Sequence, residues 1–404
     1  MQTSFATAMG RALESTRAGD PMAATRIIQM ALAGEEIDLT DATTRPGPPR
    51  FKAPWGFVED AEILDDTPGR TERKSRHKSA HRRSLKDTLS ALRHGKESIL
   101  PGMQMPGMRK PGLGTPPAIP EGARYESRHF SCAHGARDYR LYVPASLEGA
   151  PTGLVVMLHG CTQDADDFAS GTGMNAQAER HGFIVAYPHQ TQAHNPMSCW
   201  NWFRPLDQGP ERGEPALLAA LARKLGSEFG IATGRTFCAG LSAGGAMAAI
   251  LGETHPETFA AVGIHSGLPH GAAHDVVSAF AAMRGDTINA TRSRMKTRTI
   301  IFHGTADATV HLSNAEAIFA TAGGDGGRVL PARETSPGGR SYTRTRITGE
   351  AGDPRAELWR IEGAGHAWSG GNAAGSYTDP MGPDASQAMA RFFLDTTSET
   401  GDTK

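Results

Sequence analysis

The sequence is poor in several features that assign proteins to special classes. It has 4 cysteines in 404 residues and no CxxC pair, which argues against a disulfide-rich scaffold and against a zinc site. No apolar run approaches the roughly 20 residues of a membrane-spanning helix. Lysine plus arginine (42) and aspartate plus glutamate (43) nearly cancel, so the global charge steers neither nucleic acid nor an anionic membrane. We therefore expect no metal, no cofactor and no membrane span.

The N-terminus also lacks the apolar core of a signal peptide. Charged residues interrupt it at Arg11, Glu14, Arg17, Asp20 and Arg26. We therefore expect a cytoplasmic or granule-associated protein. In such a compartment the cysteines are expected to be reduced thiols.

Residues 1–120 differ in composition from the rest of the chain and are interpreted as an N-terminal extension. Helical patterns over residues 5–16 and 21–32 predict a short helical hairpin, and the clustered prolines that follow predict a largely disordered linker. A basic run between Arg70 and Lys96 is either a solvated flexible segment or a patch for polyanions or a charged granule surface. No aromatic residue is interleaved in it, so nucleic acid is not an expected partner.

Residues 121–398 have the pattern of a compact α/β domain, in which apolar runs alternate with helical stretches and glycine turns. Several runs are continuous, as in strands that are buried on both faces. Strands are predicted over residues 129–132, 137–143, 154–158, 183–187, 236–239, 261–265, 298–303 and 357–362. Helices are predicted over residues 166–181, 215–229, 244–253, 313–322 and 384–394. The pattern predicts a mostly parallel central sheet flanked by helices.

The motif G-x-S-x-G occurs at residues 240–244, between a predicted strand and a predicted helix. A sharp strand-to-helix turn needs small residues beside the serine, because backbone segments approach closely there. Gly240, Gly244 and Gly245 meet that need. The motif predicts Ser242 as a nucleophile, and the alternative is an ordinary glycine-rich turn.

A serine nucleophile needs a histidine base and a carboxylate that orients it, and in α/β-hydrolases the order is Ser, acid, His. Asp307 follows the predicted strand 298–303, and His366 follows the predicted strand 357–362. Reactive groups gather at the carboxyl ends of parallel strands, so we predict Ser242, Asp307 and His366 as a catalytic triad in an α/β-hydrolase fold. Other carboxylates follow no predicted strand: Asp275, Asp286 and Asp353.

An oxyanion hole is predicted from backbone amides. One donor is usually the amide after the nucleophile, here Ala243, and the other comes from the loop after an early strand. Residues 158–161 end such a strand and offer the amide of Cys161. His159 is interpreted as structural, because the backbone makes this hole.

With these residues, the stretch from about Arg124 to Leu394 resembles the polyhydroxybutyrate depolymerase family of esterases, specifically its type 1 short-chain-length catalytic domain. The resemblance rests on LHGCTQ at 158–163, CWNW at 199–202, GLSAGG at 240–245, His303-Gly304 with Asp307, GHAWSGG at 365–371, YTDP at 377–380 and GPDA at 382–385. It implies the same triad and oxyanion donors, acting on (R)-3-hydroxyalkanoate ester bonds. It also implies a disulfide between Cys161 and Cys199 beside the site.

Aromatic loop residues are candidates for contact with an apolar polyester. Trp200, Asn201 and Trp368 lie beside the expected site and are the predicted substrate-binding residues. The alternative for the tryptophans is packing of the active-site loops, and Trp202 is the strongest candidate for that role.

Two other functions stay open. The first is hydrolysis of small esters, as by feruloyl or acetyl-xylan esterases, since a fold does not fix a substrate. The second is a non-catalytic protein that coats polyester granules through the basic run and the tryptophans, against which the complete triad argues. The favoured partners are a polyester or small ester substrate and a polyhydroxyalkanoate granule surface.

Overall fold

The structure is a computed structural model that describes residues 116–286, 295–322, 328–349 and 354–394. The predicted N-terminal helices, the proline-rich linker and the basic run lie outside the described residues. Among the described residues, no helix is both long and apolar enough to span a membrane.

The centre of the described part is a large sheet whose strands match most of the predicted ones to within a few residues. Its strands are β1 Arg124–Cys132, β2 Gly135–Val143, β3 Leu154–Leu158, β4 Ile184–Pro188, β5 Thr236–Leu241, β6 Ala261–His265, β7 Arg298–Gly304, β8 Arg328–Thr335, β9 Ser341–Thr348 and β10 Pro354–Ile361. A separate parallel pair joins β11 Trp368–Ser369 to β12 Thr378–Asp379.

The strand order in the sheet is β1-β2-β4-β3-β5-β6-β7-β10-β9-β8. The six neighbours from β4 to β10 are parallel, and β1, β2, β9 and β8 add antiparallel margins. All side chains of β3, β4 and β6 are buried, as their continuous apolar runs predict. The predicted mostly parallel sheet of an α/β-hydrolase is confirmed.

Helices cover both faces of the sheet and form three layers. They are α1 Ala165–Thr172, α2 Met174–His181, α3 Gly213–Glu228, α4 Ala243–Thr254, α5 Val276–Met283, α6 Ser313–Ala322 and α7 Ala385–Leu394, with a short 3₁₀ helix at Pro205–Asp207. Val156 and Leu158 face one apolar cluster with α3 to α6. Val155 and Met157 face the other, with α1, α2 and α7.

One predicted helix is two helices in the structure. The pattern over residues 166–181 predicted a continuous helix, but Gly173 adopts φ 64° and both ends α1 and begins α2. Its amide donates to the carbonyl of Ala169 at 3.2 Å. A left-handed glycine of this kind is a common helix terminator, so the sequence prediction was wrong here.

Helix α5 was not predicted. Its first turn gives a structural role to Asp275, one of the carboxylates that follow no predicted strand. Asp275 is its N-cap and accepts a hydrogen bond from the amide of Ser278 at 2.7 Å, while the Ser278 hydroxyl lies 3.0 Å from the amide of Asp275. This is a reciprocal capping box. Asp275 therefore has a structural role at a helix terminus.

Candidate active site

Ser242 occupies the sharp turn between β5 and α4. Its backbone has φ 58° and ψ −118°, a conformation that costs energy for a residue with a Cβ. The amide of Ser242 donates to the carbonyl of His265 at 2.9 Å, which fixes the turn against the end of β6. The side chain is partly exposed, so the turn presents the hydroxyl at the carboxyl edge of the sheet.

The glycines on either side of Ser242 are required by close backbone contacts. A Cβ on Gly240 would lie 2.3 Å from the carbonyl carbon of Gly244, and a Cβ on Gly244 would lie 2.0 Å from the carbonyl oxygen of Leu158. These gaps are too small for any side chain. The G-x-S-x-G pattern is thus explained by packing of the turn against β3.

Asp307 and His366 come from the ends of the neighbouring parallel strands β7 and β10. Nδ1 of His366 lies 2.7 Å from Oδ2 of Asp307. The other oxygen of Asp307 accepts the amides of Thr309 and Val310, each at 2.9 Å. The carboxylate is fully buried, whereas the His366 side chain keeps 9% exposure. This leaves Nε2 of His366 as the nitrogen that is available to a substrate.

Asp307 is ionised at neutral pH in this environment. Burial alone raises its pKa, but the hydrogen bond from His366, the charges of His366 and His303, and the amide of Val310 outweigh burial and lower the pKa to about 2. An ionised Asp307 accepts the Nδ1 proton of His366 and selects the tautomer whose Nε2 can accept a proton.

His265 joins the turn of Ser242 to the loop of His366, a role that the sequence analysis missed. Its carbonyl accepts the Ser242 amide, and its Nε2 accepts the amide of Ser369 at 3.0 Å. The buried ring stacks between Phe302 and Trp368 at centroid distances of 5.8 and 5.2 Å. Burial lowers its pKa to about 3, so the ring is neutral. The signal for it in the sequence was only that it ends an apolar strand.

The predicted oxyanion donors lie on the two segments that meet at Ser242. A Cβ built on Gly160 would be 3.6 Å from the Cβ of Ser242, so the loop that carries Cys161 passes directly beside the nucleophile. Ala243 is the first residue of α4, where a helix leaves its amides without intrahelical acceptors. The loop and the helix start that carry the two predicted donors therefore both adjoin Ser242.

His159 stabilises the loop that carries Cys161. Its buried ring accepts the amide of Gln190 at Nε2, 3.0 Å away, and its Nδ1 lies 2.8 Å from the carbonyl of Gly160. Nδ1 must therefore carry the proton. Burial lowers the pKa of His159 to about 4, so a neutral ring bridges two backbone segments, in agreement with the structural role predicted for it.

Cys161 and Cys199 form a disulfide in the structure. This pairing is the one that the family resemblance implies, and it differs from the reduced thiols expected for a cytoplasmic or granule-associated protein. The amide of Thr162 also donates to the carbonyl of Met197 at 2.9 Å. The loop after β3 is thus attached to the loop after β4. Cys132 and Cys238 are free thiols.

We expect the disulfide to stabilise the domain measurably. It closes a segment with a sequence separation of 38, and a cross-link of this size typically contributes about 2–4 kcal/mol to the free energy of unfolding. Cys199→Ser, which leaves the Cys161 amide in place, should show this loss in urea unfolding under oxidising conditions. Cys132→Ser, which removes a free thiol, is the matched control. Equal stabilities of the wild type and Cys199→Ser would contradict the prediction.

The three predicted substrate-binding residues are buried, and this corrects the prediction. Trp200, Asn201 and Trp368 are 0%, 3% and 1% exposed. The indole N–H of Trp200 donates to the carbonyl of His159 at 3.1 Å, and that of Trp368 donates to the Ser386 hydroxyl at 3.1 Å. Both indoles therefore have packing roles beneath the site, the alternative considered for them.

Asn201 belongs to a buried polar network around Glu214. The carboxylate of Glu214 accepts hydrogen bonds from Asn201 Nδ2 at 2.8 Å, Gln190 Nε2 at 2.6 Å and Arg137 at 2.9 Å. Charged groups of this kind are tolerated in a core only when they are paired and hydrogen-bonded. The network fixes the loop that carries Trp200 and Cys199. Within the described ranges, no group of three or more His, Cys, Asp or Glu residues is placed to hold a metal ion.

Part of the chain matches a known protein family. Residues 137–322 match the family model described as esterase PHB depolymerase. This part of the chain is therefore similar to that esterase family. The match begins in β2 and ends with α6, so it includes Ser242, Asp307 and both predicted oxyanion donors.

Relatives of the domain carry several esterase names. Poly(3-hydroxyalkanoate) depolymerase C of Paucimonas lemoignei is 29% identical over 274 residues, which are 62% of this chain and 65% of the relative. Poly(3-hydroxybutyrate) depolymerase of Ralstonia pickettii is 34% identical over 143 residues, 32% of this chain and 29% of the relative. Acetylxylan esterase A of Talaromyces purpureogenus is 30% identical over 193 residues, 43% of this chain and 50% of the relative.

The chain thus spans less than two thirds of the length of these relatives. Among solved structures, acetyl xylan esterase from Aspergillus awamori is similar with a TM-score of 0.49 and 24% identity, covering 57% of this chain and 89% of that chain.

Proposed function

We propose that this chain is a serine hydrolase of carboxylic esters, in which Ser242 is the nucleophile, His366 the general base and acid, and Asp307 the residue that orients His366. The observation that carries the proposal is the 2.7 Å hydrogen bond between His366 and the buried Asp307 at the sheet edge that presents Ser242. An isolated serine turn lacks a base, whereas this sheet edge also has an oriented imidazole, which follows β10.

The acylation half of the reaction uses all of these groups. Nε2 of His366 takes the hydroxyl proton as Oγ of Ser242 attacks the ester carbonyl carbon. The carbonyl electrons move onto the oxygen, which the amides of Cys161 and Ala243 stabilise. The intermediate collapses, the C–O bond to the leaving alkoxide breaks, and His366 protonates that alkoxide. The products of this half are an alcohol and an acyl-Ser242.

Deacylation repeats the same chemistry with water. His366 takes a proton from water as the oxygen attacks the acyl carbon, and the second tetrahedral intermediate expels Oγ of Ser242, which recovers its proton from His366. Asp307 stays ionised throughout, because its pKa of about 2 is far below that of an imidazolium. One ester and one water give one acid and one alcohol.

For the substrate, we propose ester bonds of poly(3-hydroxybutyrate) or related short-chain polyhydroxyalkanoates and their oligomers. The family model and the two depolymerase relatives support this choice. The acetylxylan and feruloyl esterase relatives support small esters as the second candidate. Release of 3-hydroxybutyrate from amorphous polymer, compared with hydrolysis of a soluble butyrate ester by the same preparation, separates the two.

A second observation favours an apolar polymer. Trp200 and Trp368 are buried, but the described part exposes other large apolar side chains. Nearly all of these lie in the connections that follow β4, β6 and β10. These connections leave the carboxyl edge of the sheet, the edge at which Ser242 lies. The exposed side chains in these connections are Met197, Leu206, Val276, Val277, Phe280 and Met381. Helix α5 contains no charged residue. The exposed Val276, Val277 and Phe280 form an apolar face on this helix, which suits an uncharged polyester that has no groups to pair with lysine or arginine.

This apolar face gives a prediction that separates polymer from soluble substrate. Val277 and Phe280 are 70% and 57% exposed on α5. Val277→Ser with Phe280→Ser should lower hydrolysis of polymer particles by about 10-fold, because burial of such side chains contributes about 1.5–3 kcal/mol each when complete. Turnover of a soluble butyrate ester should change by less than about twofold, since surface changes seldom disturb a fold.

Ile119, which is 38% exposed and precedes β1, provides the matched control. Ile119→Ser should leave both rates unchanged. Equal losses on both substrates in the α5 variant would mean that α5 supports the site itself. Unchanged polymer hydrolysis would remove α5 as a polymer contact. A granule surface is the other proposed partner. The same comparison of variants, made with native granules in place of the polymer particles, tests whether α5 contacts it.

A further inference from the structure

We infer that Gln163 is a positioning residue that fixes the oxyanion amide of Cys161 and couples it to the loop that carries His366. The inference rests on the proposed esterase function. It concerns a buried side chain that the mechanism above does not use.

The side chain of Gln163 closes the turn that presents Cys161. The amide of Gln163 lies 3.3 Å from the carbonyl of Gly160, which forms the turn, and the amide of Gly160 donates back to Oε1 of Gln163 at 2.9 Å. Gln163 is 4% exposed. Because Cys161 lies inside this doubly closed turn, the direction of its N–H depends on where Gln163 is held.

The other end of Gln163 is fixed by Asp167 in α1. Nε2 of Gln163 donates to Oδ2 of Asp167 at 2.8 Å. Asp167 in turn accepts the amide of Ser376 at Oδ1, 2.9 Å away, and the Ser376 hydroxyl at Oδ2. Ser376 lies between β11 and β12, in the segment that follows His366. The amide group of Gln163 thus connects the oxyanion turn to the segment after the base.

A second contact, between Thr162 and Tyr377, also joins the oxyanion turn to the segment after His366. Thr162 has φ 64° and Tyr377 has φ 51°, both in the left-handed region, and their hydroxyls lie 3.1 Å apart. The carbonyl of Tyr377 accepts the amide of Trp368 at 2.7 Å, two residues beyond His366. Backbone strain of this kind persists where the surroundings hold it. The oxyanion turn and the His366 loop are therefore held in place by the same set of contacts.

A positioning role has a distinct kinetic signature. An oxyanion donor acts in the transition state and contacts the ground-state carbonyl weakly, so misplacing it lowers kcat and leaves KM nearly unchanged. A network that loses one member also leaves buried polar groups unsatisfied. Gln163 should therefore affect the affinity for a transition-state analogue as much as it affects kcat/KM.

The experiment uses the full chain and a soluble butyrate ester. Gln163→Glu keeps the acceptor for Gly160 but replaces the donor to Asp167 with a carboxylate, and Gln163→Ala removes both contacts. Each should lower kcat by about 10–100-fold, below the 10²–10³-fold typical of deleting a donor outright, with KM within about twofold. The affinity for a boronic acid analogue should fall by the same factor as kcat/KM.

Ser376→Ala is a milder variant that removes the hydroxyl contacts to Asp167 and to Nε2 of Gln163 but keeps the Ser376 amide contact to Asp167, and it should lower kcat by about 3–10-fold. Gln177→Ala is the matched control, because Gln177 is a glutamine of α2 that is also buried, and it should leave kcat unchanged. Melting curves of all variants accompany the kinetics.

The inference is overturned if folded Gln163 variants keep wild-type kcat, or if the analogue binds as tightly to them as to the wild type. It is also overturned if Gln163→Ala and Gln177→Ala lower activity equally and only in proportion to lost stability. If the Gln163 variants do not fold, unchanged kcat in folded Ser376→Ala overturns it. Absence of turnover in the wild type, or full turnover in Ser242→Ala, overturns the proposed function itself.

Discussion

Ser242→Ala should lower kcat/KM for a soluble butyrate ester by about 10⁴-fold or more and leave a folded protein. The substitution removes the oxygen that attacks the carbonyl, while its Cβ remains in the turn, so the contact of the Ser242 amide with His265 at 2.9 Å is kept. His366→Ala should cause a loss of the same order, because the two residues act as a unit. Initial rates and circular dichroism of both variants test this.

The double variant sharpens the test. Since the nucleophile is useless without its base, Ser242→Ala with His366→Ala should be no slower than either single variant to within about 10-fold. Additive losses would mean that the two residues act in separate processes. Turnover above about 1% of wild type in folded Ser242→Ala would contradict its role as the nucleophile.

Asp307→Asn should lower kcat by about 10³–10⁴-fold. The buried carboxylate accepts the Nδ1 proton of His366 at 2.7 Å, and a neutral amide cannot stabilise the imidazolium that forms when His366 takes the proton of Ser242. An asparagine can also present its N–H₂ to Nδ1 and select the wrong tautomer. Asp275→Asn is the matched control, because Asp275 caps α5 and asparagine caps equally well.

The same substitution should have a stability effect with a defined pH dependence. Asp307 has a folded-state pKa of about 2 against an ordinary 3.8, so its ionised form favours the folded state by about 2 kcal/mol. This contribution is present above pH 4 and is lost as the pH falls toward 2. Urea unfolding of wild type and Asp307→Asn should therefore differ at pH 7 and converge at low pH. A constant difference would contradict the role of ionised Asp307.

The sequence predicted most of the sheet because parallel strands buried on both faces appear as continuous apolar runs. It did not predict β8 and β9, the antiparallel margin. Residues of β9 alternate irregularly between buried and partly exposed positions, and Arg344 and Arg346 pair with Glu334 and Glu357 of the strands on either side. Such strands are stabilised by cross-strand contacts that a single run does not reveal.

The places of Ser242, Asp307 and His366 after β5, β7 and β10 could be predicted because strand ends are visible in a sequence; their catalytic roles stay a prediction. The positions of Trp200, Trp368 and Gln163 could not be predicted. Each depends on contacts between distant segments, such as that of Gln163 with Ser376, which are 213 residues apart. A tryptophan in a loop can face solvent or the core, and only the packing decides which.

The disulfide and the location expected from the sequence favour different compartments. A Cys161–Cys199 bond is present in the structure, and such bonds persist in oxidising compartments. The sequence favoured the cytoplasm or a granule, and that location stays a prediction. Alkylating cells with a maleimide before lysis, followed by mass spectrometry of the peptides with Cys161 and Cys199, tests it. Alkylated cysteines would support the prediction, and a linked pair would contradict it.

The most direct test of the account is covalent labelling of the full chain with an alkyl phosphonate that mimics the tetrahedral intermediate. We predict that one phosphonate adds per chain, that the modified peptide contains Ser242, and that loss of ester turnover follows the extent of labelling. Asp307→Asn should be labelled far more slowly, and Ser242→Ala should not be labelled. A stable adduct on another residue, or complete turnover after Ser242 is fully modified, would contradict the assignment of Ser242 as the nucleophile.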